Sequence, residues 1–395
     1  MQWKASFLWP INMDLHQLIK EKLTDLSHPA LVLDLESLEH NIAWIQEQAK
    51  GKKIRIATKS IRSVEVLKKL LQYEGMEGLM TFTLRESLWL REQGFEDILL
   101  GYPTTDLVAL KELAADPRGI TLMVDREEHL ELIATAADGT ESVINICLDL
   151  DLSMDLPGLR FGVYRSHLRN LSRLRKLLRA LKKFKNIKLI GAMGYEAQIA
   201  GVTDSSPLIR GLKKVSLLQL HERRQNMLKA ILADGHKLTI VNGGGSGSLS
   251  ETIKEKGITE VTVGSAFYAP VLFDHYDSLK LEPALFFTAP VVRQPEAGIV
   301  TVLGGGYIAS GSTDDIKQPQ PYLPKGLKLL KHEGAGEVQT PLILGVNQLT
   351  IGDFVLMRHA KAAEVCERFN EIHAISEGGE SEIYKTYRGQ GQSFL

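Results

Sequence analysis

The sequence is poor in cysteine, has no excess of either charge and contains no long apolar run. Only Cys147 and Cys366 occur in 395 residues. Two cysteines cannot make a disulfide framework, and with no secretory start a thiol-permissive cytosol is the expected compartment. Lys+Arg number 47 and Asp+Glu 48, a formal net charge of −1. Such a balance leaves no electrostatic footprint for nucleic acid or an anionic membrane, so neither is an expected partner. No stretch of about 18 uninterrupted apolar residues exists, which excludes a spanning helix. Met1–Pro10 is short and mixed, carries Lys4 and lacks the apolar core of a signal peptide. Fixed-period repeats and low-complexity segments are also missing. What remains is an ordinary soluble globular composition, 44% hydrophobic and 24% charged. The length exceeds one usual domain of roughly 100–200 residues and fits a large domain with a smaller one. Glycine is in slight local surplus, at Gly243–Gly245, Gly247, Gly304–Gly306 and Gly311.

Eight short apolar runs dominate the middle of the chain: Ile54–Thr58, Leu79–Thr83, Ile98–Gly101, Thr121–Val124, Val143–Asp149, Lys188–Met193, Leu238–Asn242 and Glu260–Val263. They are continuous rather than alternating, as strands buried on both faces of a parallel sheet are. Amphipathic stretches separate them, among them Val64–Leu71, Thr105–Ala115 with Thr104 or Thr105 as cap, Leu168–Phe184 and Leu212–Ala233. Eight strands with helices between them predict an α/β, TIM-like (β/α)8 barrel rather than an open sheet, since the early glycine fingerprint of a dinucleotide-binding sheet is missing. After about residue 278 short strands with Pro and Gly between them predict a second, β-rich domain, and a helix is expected over Ala362–Ile372. Ala30–Asp34 reads as a strand able to join that domain. The expected division is a barrel over 36–277 and a β-rich domain built from 1–35 and 278–395.

Barrel function gathers at the C-terminal strand ends, with phosphate favouring the loops after strands seven and eight. Val241-Asn-Gly-Gly-Gly-Ser-Gly-Ser248 follows the seventh strand and opens a helix. Consecutive glycines allow positive φ and close backbone approach, so N–H groups and serine hydroxyls can surround an anion there; a plain flexible turn is the competing reading. Val263-Gly-Ser265 ends the eighth strand beside it. Lys59 ends the first strand, where partial burial of the ammonium would free a nucleophilic amine for a Schiff base; a solvent-facing strand-end lysine is the competing reading. A carbonyl cofactor that carries a phosphate, such as pyridoxal phosphate, would span from Lys59 to this glycine loop.

His28-Pro-Ala-Leu-Val-Leu-Asp34 with Asn41, Thr58-Lys59, Arg160-Phe-Gly-Val163, Gly194-Tyr195, the glycine loop, Gly264-Ser265 and Gly352-Asp353 to Arg358-His359 occur in a telling order. The set resembles the pyridoxal-phosphate-dependent alanine-racemase-like (fold type III) enzymes, most of all their D-threonine aldolase and D-serine dehydratase group of amino-acid deaminase/aldolases. That resemblance implies a lyase acting on a small β-hydroxy D-amino acid through a Lys59 Schiff base, by dehydration to a keto acid or by retro-aldol cleavage to glycine and an aldehyde. An amino-acid racemase, or a protein that stores the cofactor without turnover, is the alternative. Lys59, Tyr195, His359 and Lys361 would be the catalytic set. Lys59, Arg160, Tyr195, Gly243, Gly244, Gly245, Ser246, Gly264 and Ser265 would hold the cofactor. Arg160 would lie near its phenolic oxygen, unless it makes only an ion pair with Asp151 or Asp155. Tyr195 would touch the ring or the substrate, unless it is a core aromatic. A homodimer is expected by the same resemblance.

The resemblance breaks at one point. Aldolases of this group hold a divalent metal with a C-terminal His and, two residues on, a Cys or Asp. His359 matches the first position, but Lys361 stands at the second, and a protonated lysine is not a ligand. Cys366 and Glu364 are nearby without a metal-site spacing. No metal ligand is assigned, a divalent metal is in doubt, and Lys361 is expected to supply the positive charge in its place. His332-Glu333-Gly334 resembles a segment near the family's site or is an exposed turn. The basic run Arg165–Lys188 reads as a solvated helix face, and Asp149–Asp155 lacks the spacing of a calcium loop.

Overall fold

A computed structural model describes residues 15–156, 159–200, 207–311, 315–378 and 381–395; Met1–Pro10 lies outside them. β1 (Leu31–Asp34) leads into a helix over Leu35–Ala49, which Asp34 caps by accepting the Glu36 amide. β2 (Lys53–Ala57), β3 (Met76–Thr81), β4 (Ile98–Leu100) and β5 (Ile120–Val124) then alternate with helices over Val64–Leu70, Leu84–Glu92 and Leu107–Ala115. The last of these is capped by Asp106, which accepts the Ala109 amide at 3.0 Å, and not by either threonine the sequence offered. Thr104 instead accepts the Asp106 amide and sets the approach of the chain.

β6 (Ile144–Asp149) follows the helix Glu127–Ala136 and runs into a small hairpin, β7 (Met154–Leu156) and β8 (Leu159–Phe161). β9 (Ile187–Gly194), β10 (Ile240–Gly243) and β11 (Glu260–Val263) complete the set, with a long helix over Pro207–Ala233 before β10. The parallel order β10-β11-β2-β3-β4-β5-β6-β9 closes on itself. All eight strands read from the sequence are present within a few residues, so the fold is the expected TIM-like barrel.

The strands are not apolar on both faces throughout. Ile54 and Ile56 of β2 pack outward under the helices, while Arg55 points into the barrel and is fully buried. Its guanidinium makes paired bonds to Glu260 of β11, at 2.6 and 2.8 Å, and a third to Asp97 at 2.9 Å. These carboxylates hold its charge firmly against the cost of burial. On the other side the interior is apolar, with Leu99, Met123, Cys147, Met193 and Ile240 in one cluster.

β12 (Leu285–Glu296), β13 (Ile299–Leu303), β14 (Gln320–Leu323), β15 (Lys328–Leu329), β16 (Gln339–Ile343), β17 (Phe354–Arg358), β18 (Glu371–Ile375) and β19 (Ser381–Lys385) build the second, antiparallel-rich sheet. β1 sits inside it, antiparallel to β12 and parallel to β18. The helix expected over Ala362–Ile372 does not form. Glu364–Arg368 makes a short 3-10 turn, and Ile372 joins β18 against Leu31 of β1. Pairing across some 340 positions of sequence overrides the local helical pattern there. Among the described residues no helix is long and apolar enough to cross a membrane.

Candidate active site

A cavity of about 880 Å³ opens at the C-terminal ends of the barrel strands. Its floor is the polar layer of the barrel interior. Asn242 donates to Glu260 and to Thr262, both at 2.8 Å, which fixes its amide just above the Arg55–Glu260 pair. Lys59 stands in a single 3-10 turn, Thr58–Ser60, that ends β2. Thr58 anchors this turn by donating to the Met80 carbonyl. The Lys59 side chain reaches into the open mouth, where Nζ donates to Tyr102 Oη at 2.8 Å. Burial, the reason the sequence offered for activating this amine, does not apply, because the residue is exposed. Tyr102, just beyond β4, went unnoticed because a lone tyrosine at a strand end carries no signal in sequence.

The glycine loop lies across the mouth. Gly244 has φ +85°, a value that favours glycine. A Cβ on Gly245 would stand 3.0 Å from the Tyr195 ring, and one on Gly264 would stand 2.8 Å from Ser60 Oγ. Neither position has room for a side chain. Ser246, Gly247, Gly264, Ser265 and Ser60 all line the cavity, and the hydroxyls of Ser60 and Ser265 are 3.2 Å apart. Two of the residues expected to hold a phosphate have further neighbours, although Gly244 lines the cavity. The Gly244 amide is donated to Glu196 Oε2 at 2.7 Å, and Gly243 lies under the loop against Thr252, off the cavity wall. The Gly245 amide is donated to Ser248 Oγ. Glu196 also pairs with Arg224, which bonds Glu255 at 2.5 Å and the Gly194 carbonyl at 2.9 Å. This buried Glu196–Arg224–Glu255 chain holds the loop from below. Helix Pro207–Ala233 brings Arg224 to it, a placement no local motif announces.

Arg160 and Tyr195 both line the cavity. Arg160 pairs with Asp151 and donates to the Val163 carbonyl at 2.7 Å, so the ion pair foreseen as its competing role is present. Tyr195 lies between Gly245 and Arg165, whose guanidinium is 5.7 Å from the ring centroid, and burial raises its phenol pKa. Asp149, at the end of β6, also lines the wall. Burial, with Asp125 and Asp151 beside it, pushes its carboxyl up to about 7 against the pull of Arg165. The alternating acids of this segment are therefore part of the mouth and not a bland stretch.

The second sheet supplies the remaining wall. Arg358 donates to the carbonyls of Ala269 and Pro270 and to Asp274, and Val271 and Leu272 donate their amides to His359 and Ala360. This seam lays 358–362 across the loop after β11 and delivers Lys361 to the cavity. His359 is corrected. It is fully buried away from the cavity wall, with Nδ1 against the Leu285 carbonyl at 3.0 Å and Nε2 without a partner. Burial drives its pKa down to about 3, so the ring is neutral near pH 7 and no proton carrier there. Cys366 is buried against Ile61, and burial pushes its thiol up to about 12. His332 and Glu333 lie in an exposed turn. Among the described residues no group of three or more His, Cys, Asp and Glu side chains is arranged to hold a metal ion. Lys361 Nζ donates to the Ser310 carbonyl at 3.2 Å, and its pKa is lowered by burial and by Lys317, Lys59 and Arg165. Lys317, unnoticed in the sequence, lines the same wall.

Residues 33–270 match the family described as alanine racemase, N-terminal domain. The chain belongs to that family. A curated relative, 3-hydroxy-D-aspartate aldolase from Paracoccus denitrificans, is 23% identical over 230 residues, which are 57% of this chain and 56% of the relative. The match thus spans little more than half of the relative's length. Among solved structures, D-threonine aldolase from Filomicrobium marinum superposes with a TM-score of 0.79 at 18% identity, over 93% of this chain and 96% of that one. D-threo-3-hydroxyaspartate dehydratase from Delftia sp. HT23 gives 0.77 at 19%, over 92% and 98%. Both likenesses are of fold, and they extend through the second sheet as well as the barrel.

Proposed function

We propose that this family member is a pyridoxal-phosphate-dependent lyase of small β-hydroxy D-amino acids. The observation that carries the reading is one cavity with Lys59 on one wall and the glycine–serine corner on another. The relatives' names, an aldolase of 3-hydroxy-D-aspartate, an aldolase of D-threonine and a dehydratase of D-threo-3-hydroxyaspartate, support the substrate class and leave the bond to be broken open.

The residues present fit the cofactor. Gly245 and Gly264 leave a cradle that a single Cβ would fill, and the hydroxyls of Ser60, Ser246 and Ser265 around it suit a phosphate. Lys59 supplies the primary amine that a Schiff base requires. When bound, pyridoxal phosphate supplies an electron sink for a carbanion at the substrate Cα. The chain's own residues do the rest. Tyr102 Oη accepts from the Lys59 ammonium at 2.8 Å and orients it. Glu196 and Arg224 keep the glycine loop in place by engaging its amide and its flanking strand. Tyr195 presents a ring face beside the loop. Asp149, with a carboxyl that titrates near neutrality, can give a proton to a substrate oxygen or take one back.

A panel of D- and L-amino acids, assayed for both keto acid and aldehyde with the cofactor-loaded protein, tests the reading. Turnover of D-β-hydroxy substrates to one product class is expected. No product from any β-hydroxy amino acid, or product from L-isomers alone, would overturn it.

A further inference from the structure

The charges on the cavity wall do not balance once their local partners are counted. Lys59, Arg160, Arg165, Lys317 and Lys361 line it with Asp125, Asp149 and Asp151. Arg160 is paired with Asp151. Asp125 faces His129 at 3.2 Å and accepts the His167 amide. Asp149 and Arg165 act on each other. Lys59 is held by Tyr102 and committed to the Schiff base. Lys317 and Lys361 are left over. A Cβ on Gly311 would lie 3.6 Å from the Lys317 ammonium and 4.0 Å from that of Lys361, so the two converge on one glycine. Among the described residues neither makes an ion pair. Glu364, the acid beside Lys361, spends both oxygens on the Ser310 amide and hydroxyl, at 2.8 and 2.5 Å.

Two ammonium groups held close on a cavity wall repel each other until enough negative charge enters to offset both. We propose that Lys317 and Lys361 form an anion subsite that selects substrates with a second acidic group beyond the α-carboxylate. This rests on the lyase reading and names the substrate class within it. An amino acid with one carboxylate would satisfy one of the two cations and leave the other facing a neutral tail. A dicarboxylic β-hydroxy amino acid satisfies both. Gly311, with φ +120° and no side chain, keeps the approach to the pair open. The wall comes from the second sheet, so selection is separate from the barrel's phosphate corner.

Calorimetric titration of the protein, with and without added pyridoxal phosphate, tests this with malonate and succinate against acetate and propionate, and with inorganic phosphate as competitor. The dicarboxylates should bind the wild type at least about tenfold more tightly than the monocarboxylates, less so at high salt. Lys317→Met and Lys361→Met should each bring that ratio towards one, and Lys361→Arg should retain it. Equal affinity for mono- and dicarboxylates in the wild type overturns the proposal without any variant. So does a ratio unchanged in both methionine variants, or a dicarboxylate signal that is lost when the phosphate corner alone is mutated. A protein that never takes up pyridoxal phosphate would sink the lyase reading instead, a failure these titrations without cofactor keep distinct.

Discussion

At the scale of single residues, position along a strand was informative and neighbourhood was not. Lys59 is visible as the lysine that ends an apolar run, and the structure puts it in the mouth. Its setting there is a contact with Tyr102, 43 residues away, rather than burial. His359 shows the reverse: a motif placed it in the site, and folding buried it against Leu285. Asp149 gained its character only from the fold, because Asp125 approaches from another strand. Its carboxyl is pushed up to about 7. A raised carboxyl pKa means that the folded state holds the proton more tightly than the unfolded chain. Its contribution is therefore fully present at low pH and lost as pH rises from about 4 to about 7. Asp149→Asn cannot ionise, so it should gain stability relative to the wild type across that window, by roughly 4 kcal/mol, and hold the gain at higher pH. Urea unfolding at a series of pH values checks this; a difference that does not change with pH would refute the shifted carboxyl.

At the scale of elements, the parallel strands were legible because continuous apolar runs are a local signature. The interior polar layer was not, since Arg55 is tolerable in β2 only because Glu260 waits on β11. The helix expected at Ala362–Ile372 failed for the same reason, as β1 and β19 recruit Glu371–Ile375 into a sheet from both sides. The glycine loop depends on a partner of this kind. Arg224 is 1% exposed and bonds Glu196, Glu255 and the end of β9 at once. Arg224→Met would leave buried Glu196 without its ion-pair partner and buried Glu255 with only His221 and Gln225 beside it. Stability should fall by about 3–5 kcal/mol, and pyridoxal phosphate affinity should fall on the order of tenfold as the loop loses its support. Unfolding midpoints and a cofactor titration measure the two effects. A variant with wild-type values of both would show that the buried chain does not hold the loop.

At the scale of the whole molecule, the site needs both ends of the sequence. β1 is inserted between β12 and β18, and the seam from Arg358 to Ala269 brings Lys361 over the barrel. The sequence showed that a barrel and a β-rich part exist, and it placed the glycine–serine loop at the barrel mouth. It could not show that Lys317 and Lys361 meet at Gly311, because that meeting depends on a sheet whose strand order no local pattern encodes. The central claim is that Lys59 reacts covalently with a phosphate-anchored aldehyde in this mouth. The most direct test is to load the protein with pyridoxal phosphate, reduce it with borohydride and map the modified peptide by mass spectrometry. A single pyridoxyl adduct on Lys59, lost in Lys59→Ala, is the result expected. An adduct on another lysine, or none after saturation with cofactor, would contradict the account.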